Sequence, residues 1–283
     1  MLFKNVIPDI KKKLDLFFNG LSSNKIMVII AGPTAVGKSN YAYHLAKKIN
    51  GVIINADSIQ IYRDLYIISG REDVLKSDIE HYLYGFQNIN EEFSVGHWLK
   101  LLKKTLTQIP INKIPIIVGG TGLYIDAALN GIVPIPKIKK NIQKKSINLI
   151  NDIGVEEFRK IVEKIDTLYV SNNYDKHRLL RLYNVFYSTG KNLTEWHKER
   201  RTGKIKRKCY SIFINSKRDN IYQKCDERFE IMLKKGAIEE VKSIWIRKYD
   251  RSFPGLKALG VKRILKYLDN ELTLERAIEL SKK

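Results

Sequence analysis

Lys38 and Ser39 close the string Gly32-Pro33-Thr34-Ala35-Val36-Gly37-Lys38-Ser39, in which the second glycine is followed at once by an amine and a hydroxyl. The pattern is that of a phosphate-binding loop. Its glycines permit a tight turn with inward-pointing backbone N–H groups, Lys38 supplies a point charge for terminal phosphates, and the Ser39 hydroxyl is suited to ligate Mg2+. Asp57, about twenty residues beyond the loop, ends the apolar run Val52 to Ala56. In an α/β sheet the carboxyl ends of strands face the ligand crevice, which sets Asp57 opposite the phosphates. A carboxylate there can take a proton from an attacking nucleophile or hold a metal through water. The alternative is an ordinary strand-end turn, where Asp is common.

The elements around these residues alternate. The apolar run Ile26 to Ala31 precedes the loop, and Tyr41, Ala42, Leu45, Ala46 and Ile49 follow it at helical spacing. Val52 to Ala56 and Ile114 to Val118 are further buried strands, and Gly119-Gly120-Thr121-Gly122 turns the second into a helix from about Leu123. That strand ends in Gly-Gly-Thr rather than an acid, which argues against a motor-type ATPase. The fold class expected is α/β, a P-loop NTPase-like parallel sheet flanked by helices.

Four segments are expected. Residues 1–24 carry Ile7, Ile10, Leu14, Phe17 or Phe18, and Leu21 with Lys11, Lys12 and Lys13 between them, an amphipathic helical extension docked on the core. Residues 25–133 form the first part of that core. Beyond Gly131, Pro134 and Pro136 break the chain, and residues 134–208 read as an inserted helical domain. The sheet resumes near Tyr210 to Ile214, and residues 209–283 complete the core with helices at about 221–234, 238–247 and 256–268.

The formal net charge of +21 calls for a polyanionic partner, although the abundance of Ile, Lys and Asn also fits an AT-rich genome. Location is more telling than the total. Lys137 to Lys208 holds 19 Lys and Arg against 8 Asp and Glu, a net +11 in a quarter of the chain, so the insertion is the candidate nucleic-acid surface. Arg178 and Arg181, three apart, share a helix face suited to a phosphate backbone; a solvated face is the alternative. Cys209 and Cys225 are too few for a disulfide framework or a CxxC metal site, and His44, His97 and His197 lack zinc-ligand spacing. The chain contains neither a membrane-length apolar run nor a recognisable leader, and a cytoplasmic setting is expected.

These strings together resemble the tRNA dimethylallyltransferases (tRNA isopentenyltransferases). Gly32 to Ser39 is similar to the family's GPTxxGKS/T, Asn55 to Tyr62 to its xxDSxQxY, and Val118 to Tyr124 to its VGGTGLY. Asp175 to Arg181 resembles DPxRxxR, and Asp226 to Leu233 an R-x-x-x-ML helix. The resemblance implies transfer of a dimethylallyl group from dimethylallyl diphosphate to the exocyclic amine of the adenosine 3′-adjacent to the anticodon in tRNA, with Mg2+. It implies catalytic roles for Asp57, Thr121 and Lys38, and diphosphate binding by Gly32, Pro33, Thr34, Ala35, Val36, Gly37, Lys38, Ser39 and Arg228, with Ser39 the metal ligand. It assigns tRNA contacts to Asp57, Ser58, Ile59 and Gln60, to His177, Arg178, Leu179, Leu180 and Arg181, and to Lys257 and Lys262. Partners would be the tRNA anticodon stem-loop and dimethylallyl diphosphate, with no membrane and a monomeric chain.

The sequence departs from the family pattern at His177, at Ser69 to Asp73, at Val261, and at Ser281-Lys282-Lys283, where family members continue into a basic, aromatic segment. A core shortened at that end is the expectation. Two other readings remain open on the residues alone: a P-loop kinase of a small molecule, with Asp57 deprotonating a hydroxyl, and a tRNA-binding remnant without turnover.

Overall fold

The three central strands are almost wholly aliphatic because helices cover both faces of a parallel sheet. The computed structural model describes residues 6–71, 74, 77–169, 175–251 and 253–282. The strands β1 (Ile26–Ala31), β2 (Gly51–Asn55), β3 (His81–Tyr82), β4 (Ile114–Gly119) and β5 (Lys208–Phe213) form one sheet in the order β3-β2-β4-β1-β5. All four pairings are parallel, with Val28 opposite Ile116 and Ile30 opposite Val118. Edge strand β3 is only two residues long, too short to give a periodic signal, and had no counterpart in the sequence reading.

One face of the sheet buries Val28, Ile30, Ile53, Ile116 and Val118 with Leu14 and Phe18 of α1 (Val6–Phe18) and Tyr41, Ala42, Leu45 and Ala46 of α2 (Lys38–Ile49). The N-terminal helix therefore docks as its apolar spacing required, through Phe18, while Phe17 remains partly exposed. Burying each such aliphatic side chain contributes up to about 1.5–3 kcal/mol. The alternate residues Met27, Ile29, Ile54 and Ile117 are also fully buried. Trp98 of α3 (Val95–Gln108) is buried too; its indole N–H donates to the Asn55 carbonyl at 3.0 Å, and its ring stacks on Tyr124 of α4 (Gly122–Asn130).

The contacts divide the chain into two compact units, residues 1–129 with 205–283, and residues 130–204. The division lies four residues earlier than 134 and 208 at both ends. The Ile205 N–H bonds the Ala128 carbonyl within the first unit, whereas Ile132 and Thr202 exchange N–H···O bonds within the second and close its neck. The second unit is helical: α5 (Lys140–Ile165), bent at Gly154, α6 (Lys176–Thr189) and α7 (Leu193–His197) bury Ile150, Phe158, Val162, Leu179, Leu182, Val185 and Leu193 together.

In the first unit, α8 (Arg218–Lys234), α9 (Ala237–Ile246), α10 (Val261–Leu268) and α11 (Leu274–Ser281) follow β5. Phe229, Met232, Val241, Ile264 and Leu265 pack there with Ile61, Tyr62, Leu65 and Ile68 from the segment after β2. The single helix expected over 256–268 is instead a short 3-10 turn, Pro254–Lys257, and then α10, because the chain turns at Gly260 with φ of 82°. No helix among the described residues is long and apolar enough to cross a membrane.

Candidate active site

Four strand ends and the middle and last turns of α8 build one cavity in the first unit. The loop after β1 turns through Ala35 (φ 62°) and Gly37 (φ 89°) into the first turn of α2, which leaves unpaired helix-start N–H groups and their partial positive charge facing the opening. The Lys38 ammonium donates to the Pro33 carbonyl across that loop. Burial holds the Lys38 pKa below its ordinary value; Asp57 opposes that shift and Arg228 reinforces it.

Asp57 is fixed from both sides. The fully buried Asn55 at the end of β2 accepts the Asp57 N–H at 2.9 Å and donates to the carbonyls of Asp57 and Leu83 at 3.0 Å each. The Asp57 Oδ1 accepts the Ile59 N–H at 2.8 Å, so the strand-end turn and a cavity-lining carboxylate are the same residue. β4 ends beside it. A Cβ on Gly119 would lie 2.1 Å from the Ala56 carbonyl oxygen, so only glycine lets the two strand ends approach this closely.

The cavity encloses about 540 Å3. The loop residues Thr34, Ala35, Gly37, Lys38 and Ser39 line it together with Asp57, Ile59, Gln60 and Arg228. Ile68, Phe229, Met232 and Leu259 make an apolar wall. The Arg228 guanidinium donates to the Ser69 carbonyl at 3.0 Å, and the Gln60 amide donates to the same oxygen at 3.0 Å. Gly70 (φ 67°) leaves room for this contact: a Cβ there would fall 1.9 Å from Arg228 Nη2. A volume of this size lined by the cations Lys38, Lys224, Arg228 and Lys235, a carboxylate and an apolar wall suits an anionic headgroup joined to a small apolar group. The oxygen donors Ser39 and Asp57 are of the kind Mg2+ accepts beside phosphate oxygens, and among the described residues no group of three or more His, Cys, Asp or Glu forms a dedicated metal cage.

The model of the IPP transferase family matches residues 60–283. A tRNA dimethylallyltransferase of Rickettsia rickettsii is 39% identical over 267 residues, covering 92% of this chain and 73% of its own. The chain belongs to the IPP transferase family. Among solved structures, a full-length tRNA isopentenylpyrophosphate transferase from Bacillus halodurans is 28% identical with a TM-score of 0.62, covering 91% of this chain and 82% of that one. A eukaryotic dimethylallyltransferase acting on tRNA is 27% identical with a TM-score of 0.75, and the chain spans 66% of it. The P-loop NTPase-like fold of the IPP transferases is therefore the fold of this chain.

Against this IPP transferase framework, the loop, Asp57, Ile59, Gln60 and Arg228 come together in the cavity. Thr121 does not line it; its hydroxyl instead holds Ser58, accepting the backbone N–H at 2.9 Å and donating to the hydroxyl at 3.2 Å. Val36 is buried, so its side chain serves packing while its peptide belongs to the loop. In the second unit, Asp175 caps α6 by accepting the Arg178 N–H at 3.0 Å, and His177, Arg178 and Arg181 are exposed on the first turns. Leu179 corrects the sequence expectation: it is fully buried in the core of that unit and cannot present its side chain to RNA, and Leu180 is half-buried against the same core. Leucines within a basic helix motif are the residues that seat the helix. Lys262 is exposed on α10; the Lys257 side chain lies outside the described residues, as do Glu72 and Asp73 of the segment that departs from the family pattern.

Sequence reasoning missed Tyr84, Lys224 and Cys225, which also line the cavity. Burial and then the Asp57 charge raise the Tyr84 pKa, so its hydroxyl stays protonated beside the carboxylate. His81, on β3, hydrogen-bonds the Ile79 carbonyl through Nδ1 at 2.7 Å and packs edge-on against Tyr84. The Glu80-His81-Tyr82 string was the one available signal for this corner.

Proposed function

We propose that the chain transfers a dimethylallyl group from dimethylallyl diphosphate to the exocyclic amine of the adenosine 3′-adjacent to the anticodon in tRNA. The observation that carries this reading is the single cavity in which the phosphate loop, the fixed carboxylate of Asp57 and the Arg228 guanidinium meet an apolar wall. The names of the relatives support it.

In this reading the loop N–H groups, Lys38 and Arg228 hold the diphosphate and oppose the charge that grows on the bridging oxygen as the carbon–oxygen bond breaks. Ser39 would hold Mg2+, which would supply further neutralisation of that charge. The apolar wall of Ile68, Phe229, Met232 and Leu259 receives the five-carbon group and excludes water from the carbocation-like carbon. Asp57 accepts the proton released as the aromatic amine attacks, its Oδ1 already oriented by the Ile59 N–H. Thr121 acts by holding Ser58, next to Asp57.

The target base is stacked in the anticodon loop and must be extruded at a cost of a few kcal/mol. Arg178, Arg181 and the lysines of the basic helical unit grip the stem and offset that cost. A cytoplasmic monomer completes the reading. The test is transfer of labelled dimethylallyl diphosphate, with Mg2+, to an anticodon stem-loop. Label in the RNA at the adenosine is the expected result; RNA binding without label would mean a tRNA-binding remnant, and phosphoryl transfer from ATP to a small molecule would mean a kinase.

A further inference from the structure

The Glu240 carboxylate, in the first turn of α9, accepts three successive backbone N–H groups: Tyr66 at 2.8 Å, Ile67 at 2.6 Å and Ile68 at 3.0 Å. Three charge-assisted bonds to consecutive amides, from a side chain also favoured by the helix start, fix that turn far more tightly than its sequence would. The turn leads directly to Ser69, whose carbonyl receives both the Arg228 guanidinium and the Gln60 amide, and both of those side chains line the cavity. Ser69 has no freedom of its own: it is buried and its hydroxyl donates to the Leu65 carbonyl. Glu240 does not line the cavity.

We propose that Glu240 is a positioning residue for diphosphate binding, acting through the Tyr66–Ile68 amides and the Ser69 carbonyl to aim Arg228 and Gln60 into the cavity. The inference rests on the reading of this cavity as a diphosphate site. A carboxylate is required because all three partners are donors. The amide of glutamine has only one accepting oxygen and would turn its NH2 toward an N–H. In Glu240→Gln the turn relaxes, the Ser69 carbonyl shifts, and Arg228 loses the contact that directs it.

The experiment is a double-mutant cycle on binding of inorganic pyrophosphate with excess Mg2+, measured by calorimetry on the full chain, Glu240→Gln, Arg228→Ala and the double variant. Glu240→Gln should weaken binding about tenfold. The double variant should bind more tightly than the product of the two single losses predicts, because Glu240 acts in large part through the Arg228 group that Arg228→Ala removes, leaving only its effect on Gln60. Unaltered binding in Glu240→Gln, or losses that multiply in the double variant, would overturn the proposal. A merely structural staple would give the multiplied result.

Hydrogen exchange on the unmodified chain keeps the test independent of variant folding. Pyrophosphate should slow exchange at the amides of Tyr66, Ile67 and Ile68, since coupling between the turn and the cavity is reciprocal; unchanged exchange at saturating pyrophosphate counts against it. If the unmodified chain fails to bind pyrophosphate, the diphosphate reading itself fails and this inference with it. Binding by the unmodified chain with an indifferent Glu240→Gln removes the inference alone.

Discussion

Thr121 and Ser58 are joined twice, the Thr121 hydroxyl accepting the Ser58 N–H at 2.9 Å and donating to the Ser58 hydroxyl at 3.2 Å. The pair lies 63 residues apart in sequence and couples the turn after β4 to the turn after β2. It thereby sets the residue next to Asp57. Replacing Thr121 by Val keeps the shape and removes both bonds, leaving a half-buried N–H without its partner at a cost of about 1–3 kcal/mol. Urea unfolding of Thr121→Val should show that loss and transfer should fall at least tenfold, with Thr121→Ser restoring both. Full transfer in Thr121→Val would show that the turn holds itself.

Asp57→Asn retains an oxygen that can accept the Ile59 N–H, so the turn persists while the charge and the proton acceptor are lost. The turnover number should drop by about 10²–10⁴, the span typical of removing a general base. Binding of the anticodon stem-loop should change less than about threefold. Turnover near that of the unmodified chain would end the assignment of Asp57 as base.

Arg178 and Arg181 are exposed on the first turns of α6, and among the described residues the Arg178 side chain makes a long ion-pair contact of 3.8 Å to Asp175. Replacing both by Ala should leave thermal stability within about 0.5 kcal/mol. It should lower the slope of log Kd against log salt for stem-loop binding by about one to two units. An unchanged slope would return this face to solvent.

Burial lowers the pKa of His81, with the Ile79 carbonyl opposing the shift more weakly. Between the folded value and the unfolded value of about 6.5 the unfolded chain binds more protons, so stability rises with pH in that window. It is fully present above about pH 6.5 and is lost as pH falls through the folded value. Melting temperature should therefore decline on acidification below about pH 6.5, and His81→Gln should flatten that decline. Equal slopes for the two chains would locate the acid sensitivity elsewhere.

The central strands and the loop were legible because their signals are local. Runs of three to six consecutive apolar residues suit the buried strands of a parallel sheet, and the spacing of Gly32, Gly37, Lys38 and Ser39 is itself the turn. The basic helical insertion was legible from charge and from prolines at its start. Leu179 was misread for a reason that sequence cannot remove: a motif records which residues travel together, and exposure distinguishes Arg178, which faces water, from Leu179, which builds the helical core.

Strand β3 and the split before α10 escaped because two paired residues and one turn at positive φ leave no periodic trace. By itself the sequence determined which groups are on offer, a glycine-rich loop ending in Lys38 and Ser39, an acid at a strand end and a surplus of cations in the insertion, since those follow from residue types at short spacing. Only the tertiary structure decided which distant groups share the cavity. Arg228 reaches it 190 residues after Lys38, aimed by the Ser69 carbonyl, and the Tyr66–Ile68 turn behind that carbonyl is held by Glu240 across a sequence separation of more than 170. Such pairings are settled by packing of α8 and α9 against the segment after β2, where burial of Phe229, Met232 and Val241 fixes the geometry and no local pattern encodes it.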